Sequence, residues 1–411
     1  MGNDMKREYV FLSHMIPANL KEAVYNNARN NMQDAADALQ WHIYNGLCQN
    51  LNQEIKIFNL LPISSYPQYY NEAFIKESVF DTQYNCENVN IGFCNIKLMR
   101  ERSKQINVYK TLRKWISVND MPKTVFIYTA SSAFLRAIKK LKKKYDIEVC
   151  VIIADLPDMN NLSSKKGWIM NWYEKYFSGK TYELLSYVDS YVLLTEHMAE
   201  YMHIQQPYCV MEGIATATEE FNIPNYDNEI KTVFYAGTLH RKFGVLNLVE
   251  AFMQVPSPEY QLILCGAGDC EQEIVEAVQK DSRIKFYGQL PRAEVLKLQS
   301  SSTVLVNPRQ NNEEFTRYSF PSKNLEYLSS GIPFIAYKLD GIPDEYDDYI
   351  QYVEDNTIRT LTKKIVEVCE KTSQERKEIG TRGREFVSCQ KNEVIQTQKI
   401  LSILSACNQE Q

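Results

Sequence analysis

The residues of this chain best suited to chemistry stand in one segment, Tyr318-Ser319-Phe320-Pro321-Ser322-Lys323-Asn324-Leu325-Glu326-Tyr327-Leu328-Ser329-Ser330-Gly331-Ile332-Pro333. Pro321 and Ser322 are helix openers, and Gly331 with Pro333 is a stop, so the spacing predicts a short helix between them. Its start would present free N–H groups and the positive end of the helix dipole, which favour the oxygens of a diphosphate. Lys323 falls in the first turn, within reach of such an anion. Glu326 follows Ser322 by four residues and shares its helix face. A carboxylate there can accept hydrogen bonds from both ribose hydroxyls of a nucleotide, as the acid of dinucleotide folds does. On the residues alone, Glu326 is also readable as a solvated helix-surface carboxylate.

Other candidates lie at the ends of predicted strands. A leaving diphosphate accumulates negative charge, which Arg and Lys stabilise if they are placed in advance. Arg241 and Lys242 in the loop His240-Arg241-Lys242-Phe243-Gly244 are such candidates, as is Arg309. Surface charge is the alternative for the pair, and a structural salt bridge the alternative for Arg309. Asp155 and Asp158 close an apolar strand, either as a site or as the turn that Asp-Leu-Pro-Asp makes well. His14 follows the first strand, as a group facing a cleft or as a structural imidazole.

The elements that position these residues alternate. Candidate strands in the first half are Tyr9–Ser13, Ile55–Leu61, Val125–Thr129, Val149–Ala154 and Ser190–Thr195, with helical spacing over Asn19–Gln49. The second half reads as strands Thr232–Ala236, Gln261–Cys265, Ile284–Tyr287, Thr303–Asn307 and Phe334–Tyr337, with helices around Leu246–Met253, Glu271–Gln279 and Glu294–Gln299. Two doubly wound α/β domains are expected, with a cleft between them and sites at the carboxyl ends of the strands. The expected boundaries are residues 1–218, a linker at 219–229, a second domain at 230–387, and a C-terminal helix at 388–411 that returns to the first domain.

Composition agrees. A chain of 411 residues, at ~150 per domain, predicts between two and three units. With 44% hydrophobic and 24% charged residues it is neither disordered nor a small disulfide scaffold. Residues 1–214 hold 24 basic and 22 acidic side chains, and the remainder 22 and 29, so the halves differ in charge. The ten cysteines show no Cys-x-x-Cys spacing and read as free thiols rather than zinc ligands. The longest apolar run, Val149–Ala154, is far short of the ~18 residues a membrane span needs. The start does not lead into a signal-peptide core, so the expected location is the cytosol, with the inner membrane face as an extension.

The segment from Tyr318 to Pro333 resembles the donor-binding segment of family 4 retaining glycosyltransferases of the GT-B fold. In its Pro321-Ser322-Lys323-x-x-Glu326-Tyr327-Leu328 core it is similar to members found in exopolysaccharide and capsule synthesis. Tyr235-Ala236-Gly237-Thr238-Leu239 resembles the family's first C-domain strand and loop, and Cys265-Gly266-Ala267-Gly268 its Gly-x-Gly turn. Phe286-Tyr287-Gly288 and Asn307-Pro308-Arg309 follow in the family's order. In the first half the resemblance is thinner, resting on Asp155-Leu156-Pro157-Asp158, Leu194-Thr195-Glu196-His197-Met198 and Glu212-Gly213.

The resemblance implies that Glu326 holds the ribose and that Pro321, Ser322, Lys323, Gly237, Thr238, Gly266, Gly268 and Arg309 surround the donor. It implies phosphate binding by Lys242 and Arg241, and a catalytic position for Asp155 with His14 and Asp158 on the acceptor side. There are departures. The family signature carries two glutamates, and Tyr318 stands where the first would touch the transferred sugar; Glu313 or Glu314 are the other substitutes. Thr238 replaces a common Arg, Ala154 a common His, and His14-Met15-Ile16-Pro17 a common Gly-Gly.

The implied reaction moves a sugar from a nucleotide donor, UDP before GDP, to a glycan or lipid-linked acceptor with retention. The leaving phosphate helps take the acceptor proton, so no carboxylate nucleophile, metal or cofactor is implied. Arg136–Tyr145 and Lys165–Trp172 would suit an anionic membrane face, or are solvated lysine runs. Nucleic acid is excluded as a partner by the acidic balance and the lack of a module that reads it. Two rivals stay open: a GT-B nucleotide-sugar epimerase, and a glycosyltransferase-like subunit that binds nucleotide without chemistry.

Overall fold

The chain divides into two compact units, Met1–Glu212 together with Glu393–Gln411, and Gly213–Asn392. The computed structural model describes residues 7–29, 32–84, 87–158, 179–215, 224, 226–227 and 229–407. The expected linker at 219–229 lies largely outside these residues, and Lys165–Trp172 wholly so.

The first unit is built on strands β1 Glu8–Ser13, β2 Lys56–Asn59, β3 Phe74–Ile75, β4 Ser78–Phe80, β5 Asn88–Asn90, β6 Phe93–Cys94, β7 Lys123–Tyr128, β8 Glu148–Ile153, β9 Ser190–Leu193 and β10 Tyr208–Val210. Eight of them form one sheet in the order β10-β9-β8-β7-β1-β2-β5-β4, parallel throughout except for the antiparallel edge pair β4–β5. Every residue of β7 is buried, as a strand covered by helices on both faces must be. The helices are α1 Lys21–Asn27, α2 Asp34–Leu51, α3 Arg100–Ile116, α4 Ser132–Leu141 and α5 Glu196–Met202.

One expected element is broken. The single helix over Asn19–Gln49 is a 3-10 turn at Ala18–Leu20 followed by α1 and α2. Ala28 swings to ψ 139° and bridges Tyr70, while Arg29 N–H donates to Tyr69 O at 3.0 Å. Pairing with a distant segment there outweighs helical continuity, whose propensity is a weak preference.

The second unit carries β11 Lys231–Ala236, β12 Tyr260–Cys265, β13 Ile284–Phe286, β14 Val304–Asn307, β15 Phe334–Ala336 and β16 Gln351–Tyr352. They form an all-parallel sheet in the order β13-β12-β11-β14-β15-β16. Its helices are α6 Val245–Met253, α7 Glu271–Lys280, α8 Arg292–Ser300, α9 Ser322–Ser330, α10 Ile358–Cys369 and α11 Ser373–Gln390. The sequence expectations match these elements to within two residues at each end, the usual margin for element ends, but miss β16 and the last two helices.

The last helix, α12 Glu393–Cys407, lies on α2 within the first unit. Gly46 of α2 permits the contact, because a Cβ there would stand 2.3 Å from Glu393 O. Among the described residues no helix is long and apolar enough to cross a membrane. The described cysteines are free thiols, most of them buried. In the lysine run after α4, Lys142 pairs with Asp189, and Lys139 of the helix itself pairs with Glu183 at 2.7 Å.

Candidate functional site

In the second unit the expected residues converge at the carboxyl edge of the sheet. The loops leaving β11 and β12 stack backbone on backbone: Gly237 N–H donates to Cys265 O at 2.9 Å, and Leu239 N–H to Ala267 O at 2.9 Å. Gly266 sits at φ 132°, and a Cβ on it would come within 1.8 Å of Gly237 O. Gly237 sits at φ 155°, a backbone conformation that L side chains rarely adopt. Lys323 passes directly over it, so that a Cβ would lie 2.1 Å from Lys323 Cε.

Helix α9 begins at this edge with Pro321 as its cap residue and no capping side chain. The cap carbonyl receives Asn324 N–H at 2.9 Å, which leaves the amides of Ser322 and Lys323 for an outside acceptor. Two buried ties fix the direction of the helix. Ala236 N–H donates to Tyr327 Oη at 3.1 Å, and Asn307 Nδ2 donates to Asn324 Oδ1 at 2.9 Å. A pocket of about 210 Å³ opens at the helix start, lined by Tyr235, Thr238, Phe243, Asn307, Arg309 and residues 320–323.

The cations at this edge differ in how they are held. Arg309 stacks its guanidinium on Phe315 at 4.4 Å and near Phe243 at 5.4 Å, and donates from Nη2 to Ser319 Oγ at 2.9 Å. Its Nε is buried without a partner, and among the described residues it has no carboxylate partner. Burial pushes its guanidinium down to about 10. Lys323 is half-buried, with the rings of Tyr327 and Tyr235 at 5.9 and 6.0 Å. Desolvation lowers its ammonium pKa, against the pull of Glu326. Lys242 lies over Phe243 at 5.3 Å and Phe315 at 5.8 Å, with no ion pair among the described residues. Arg241, by contrast, is exposed and pairs with Glu273 of α7.

Glu326 is 23% exposed, and among the described residues its one ion-pair contact is Arg292 at 3.8 Å, so its oxygens can still accept hydrogen bonds. Arg292, the first residue of α8, escaped the sequence reading because it lies 34 positions upstream in an ordinary helix start. Tyr318 ends the 3-10 turn Glu314–Tyr318 and is half-buried, while Glu313 and Glu314 are exposed. Thr238 is exposed; its carbonyl receives Tyr235 Oη at 3.0 Å. Gly268 packs against Leu239, whose carbonyl lies 2.3 Å from where a Cβ would stand.

In the first unit the carboxyl edge of β1 carries His14. Gln40 of α2 clamps its backbone twice, accepting from His14 N–H at 2.7 Å and donating to His14 O at 3.0 Å. Asn59 does the same for Met15, at 2.8 and 2.9 Å. Buried loop amides need such partners, and here side chains replace a glycine turn. Nδ1 of the imidazole lies 2.9 Å from Leu60 O, a carbonyl that can only accept, so the proton sits on Nδ1 and the Nε2 lone pair is available. The ring packs on Phe134 at 4.9 Å. Burial, followed by the charges of Lys104 and Arg100, pulls its pKa down to about 4. His14 is thus neutral at pH 7.

Asp155 follows β8 and is open to solvent on one side, while the protein around it raises its carboxyl pKa. Asp158 is occupied by two phenols: it accepts from Tyr182 Oη at 2.9 Å and Tyr201 Oη at 2.7 Å. Beside them, at the end of β7, Thr129 adopts φ 59°, an unfavourable conformation for a β-branched residue. Among the described residues no group of three or more His, Cys, Asp or Glu is placed to hold a metal.

Comparison with known proteins bears on both units. Residues 216–386 match the family model described as glycosyl transferases group 1. No curated protein sequence matches the chain. Among solved structures, sucrose-phosphate synthase from Thermosynechococcus elongatus is 14% identical, covering 98% of this chain and 100% of that one with a TM-score of 0.65. The lipopolysaccharide outer core galactosyltransferase WaaB in its apo form is 15% identical, at 98% and 99% coverage and TM-score 0.60. HepE of Anabaena in complex with UDP is 14% identical, at 97% and 100% coverage and TM-score 0.58. At these identities the likeness is one of fold, and the fold is GT-B, with two Rossmann-like α/β domains.

Proposed function

We propose, from the premise that residues 216–386 are a group 1 glycosyl transferase domain and the chain a glycosyltransferase, that it is a retaining enzyme using a UDP-sugar donor. The acceptor on this reading is a glycan or a lipid-linked glycan, and the setting is bacterial surface polysaccharide synthesis. The observation that carries the donor half is the uncapped start of α9, with Lys323 and Arg309 beside it, neither ion-paired among the described residues, and Glu326 on the same helix. These are the complements of a diphosphate and a ribose. That HepE was solved with UDP supports the choice of base.

In the proposed reaction the amides of Ser322 and Lys323 and the cations Lys323, Arg309 and Lys242 hold the diphosphate. As the anomeric C–O bond breaks, charge builds on the departing oxygen, and these groups stabilise it in place. The acceptor oxygen bonds to the same face of the sugar, and its proton passes to the departing phosphate. His14 Nε2 and Asp155 orient the acceptor hydroxyl, and neither forms a covalent bond. Tyr318 meets the transferred sugar where the family has glutamate, which is a change of specificity. Lys143 and Lys144, which make no ion pair among the described residues, provide peripheral contact with an anionic membrane.

The test is a thermal-shift panel of UDP, GDP, ADP and CDP on wild type and Glu326→Ala, followed by transfer from the matching nucleotide sugar by the purified chain alone. One diphosphate should stabilise the wild type, and the variant should lose most of the shift. No shift with any of the four refutes the donor assignment. Binding without transfer or donor hydrolysis refutes the catalytic role.

A further inference from the structure

Helix α3 carries two cations that make no ion pair among the described residues. Lys104 is 5% exposed, yet among the described residues its Nζ makes no hydrogen bond and no ion pair, and it lies 4.6 Å over the ring of Phe93. Arg100, one turn earlier, donates from Nη2 to Ile63 O, and its Nε is buried with no partner. Glu101, exposed on the same helix, acts on both only through space.

Their place in the fold is informative. A helix that leads into a parallel strand runs back from the carboxyl edge of the sheet, so the start of α3 lies at the edge where β1 and β2 end. Ile63, which Arg100 holds, follows β2, and His14, which feels both charges, follows β1. The chain order also reverses here, with β2 on one side of β1 and β7 on the other. Such a switch point is where open α/β sheets receive ligands.

We propose that Lys104 and Arg100 form an anion subsite that takes a phosphate group carried by the acceptor. A lysine that served packing alone would either carry the penalty of a buried, uncompensated charge or shed its proton to avoid it. Two unpaired cations call for two negative charges, which a phosphate monoester supplies and a single carboxylate does not. The guanidinium fork and the ammonium together match the several acceptor oxygens of a tetrahedral group. Burial, and then the charge of Arg100, lower the Lys104 ammonium to about 7 in the empty site, so a bound dianion would restore its charge. Nε2 of His14 is then left to receive a hydroxyl of the molecule whose phosphate is held.

This inference rests on the first unit receiving the acceptor, and its test is kept separate from the donor. Calorimetry on the full chain compares inorganic phosphate, glucose 6-phosphate, farnesyl phosphate, glucose and glucuronate at fixed ionic strength. The variants are Lys104→Met, which keeps the aliphatic stem, and Lys104→Arg and Arg100→Gln. Inorganic phosphate and at least one ester should bind the wild type, the tighter ester naming a sugar or lipid source, while glucose does not. Lys104→Met should weaken them by roughly 10-fold or more, and Lys104→Arg by much less. If Lys104→Met fails to fold by circular dichroism, Arg100→Gln serves in its place with the same expected loss. Equal phosphate binding by wild type and variants overturns the subsite, as does binding of glucuronate without phosphate. UDP binding should persist in Lys104→Met. Loss of UDP binding in the wild type with phosphate binding intact would refute the donor reading and leave this one standing.

Discussion

Both units present unpaired cations at the carboxyl edge of a parallel sheet, but they assemble them differently. In the second unit the amides of Ser322 and Lys323, the Lys323 ammonium and the Glu326 carboxylate come from one turn of one helix. In the first, Arg100 and Lys104 stand one turn apart on α3, but His14, Gln40 and Asn59 around them come from α2 and the ends of β1 and β2. Aromatic faces support the charges in both: Phe315 and Phe243 under Arg309, and Phe93 under Lys104. A contiguous anion site is a property of local sequence, whereas a dispersed one is a property of the topology that gathers it.

The comparison is tested most severely where two arginines share a unit and differ in pairing. Arg309→Ala should lower the transfer rate by roughly 10²–10³-fold, the usual loss when a preorganised charge at a departing oxygen is removed. Arg241→Ala should cost only a few-fold, because its guanidinium is already committed to Glu273 and exposed. Steady-state kinetics on the two variants decide the matter. Equal losses would mean that pairing in the fold does not predict which cation meets the diphosphate.

This contrast explains what could be read before the fold was known. Pro321, Ser322, Gly331 and Pro333 announce a helix by local chemistry, and the helix lies where they put it. The glycines at 237 and 266 were readable as a motif, but the reasons for them lie in the folded backbone: Gly237 holds φ 155°, and the carbonyl of Gly237 fills the space a Cβ at 266 would need. Arg292 reaches Glu326 from another helix, and no local signal marks it. Lys104 reads as one lysine among several on a polar helix, since burial depends on what packs against it. The break at Ala28 was equally hidden, because it is imposed by Tyr69 and Tyr70 from far along the chain.

A pH experiment probes the first unit. The folded protein holds His14 neutral with its pKa at about 4, while the unfolded chain takes up a proton near 6.5. The unfolded state therefore binds more protons between these values, and the contribution is present above pH 6.5 and lost as pH falls toward 4. The full loss is roughly 3 kcal/mol by linkage. Unfolding free energies from urea titrations at pH 7 and pH 4.5 should differ less in His14→Gln than in wild type, by about 2 kcal/mol. Measuring the difference between the two proteins cancels Asp37 and Asp155, whose raised carboxyl pKa values act in the opposite sense. An unchanged pH slope in the variant would show that the imidazole is solvated and not clamped.

Glu326→Gln sharpens the second unit. The carboxylate accepts hydrogen bonds from two hydroxyls on the proposed reading, and the amide keeps the shape while losing the charge. A charge-assisted hydrogen bond contributes about 1.5–3 kcal/mol, so nucleotide affinity should fall by roughly tenfold or more. The discriminating control is the 2′-deoxy nucleotide, which should bind wild type weakly and the variant no worse than the ribonucleotide. If both proteins bind the two nucleotides alike, Glu326 is a surface carboxylate paired with Arg292.

The smallest effect concerns the tie that aims the helix. Tyr327 is fully buried, and its hydroxyl oxygen accepts the N–H of Ala236 at the end of β11. Tyr327→Phe keeps the ring against Phe334, whose centroid is 5.4 Å away, but strands a buried amide. That should cost about 1–2 kcal/mol in denaturant unfolding. Because the same bond sets where Ser322 and Lys323 point their amides, nucleotide affinity should also fall, by a few-fold at most. Gln40→Ala makes the matching change in the first unit, releasing both backbone groups of His14. It should destabilise the fold by a similar amount and leave nucleotide affinity untouched, since Gln40 belongs to the other unit. A loss of nucleotide affinity in Gln40→Ala equal to that in Tyr327→Phe would show that the two edges do not act as separate sites.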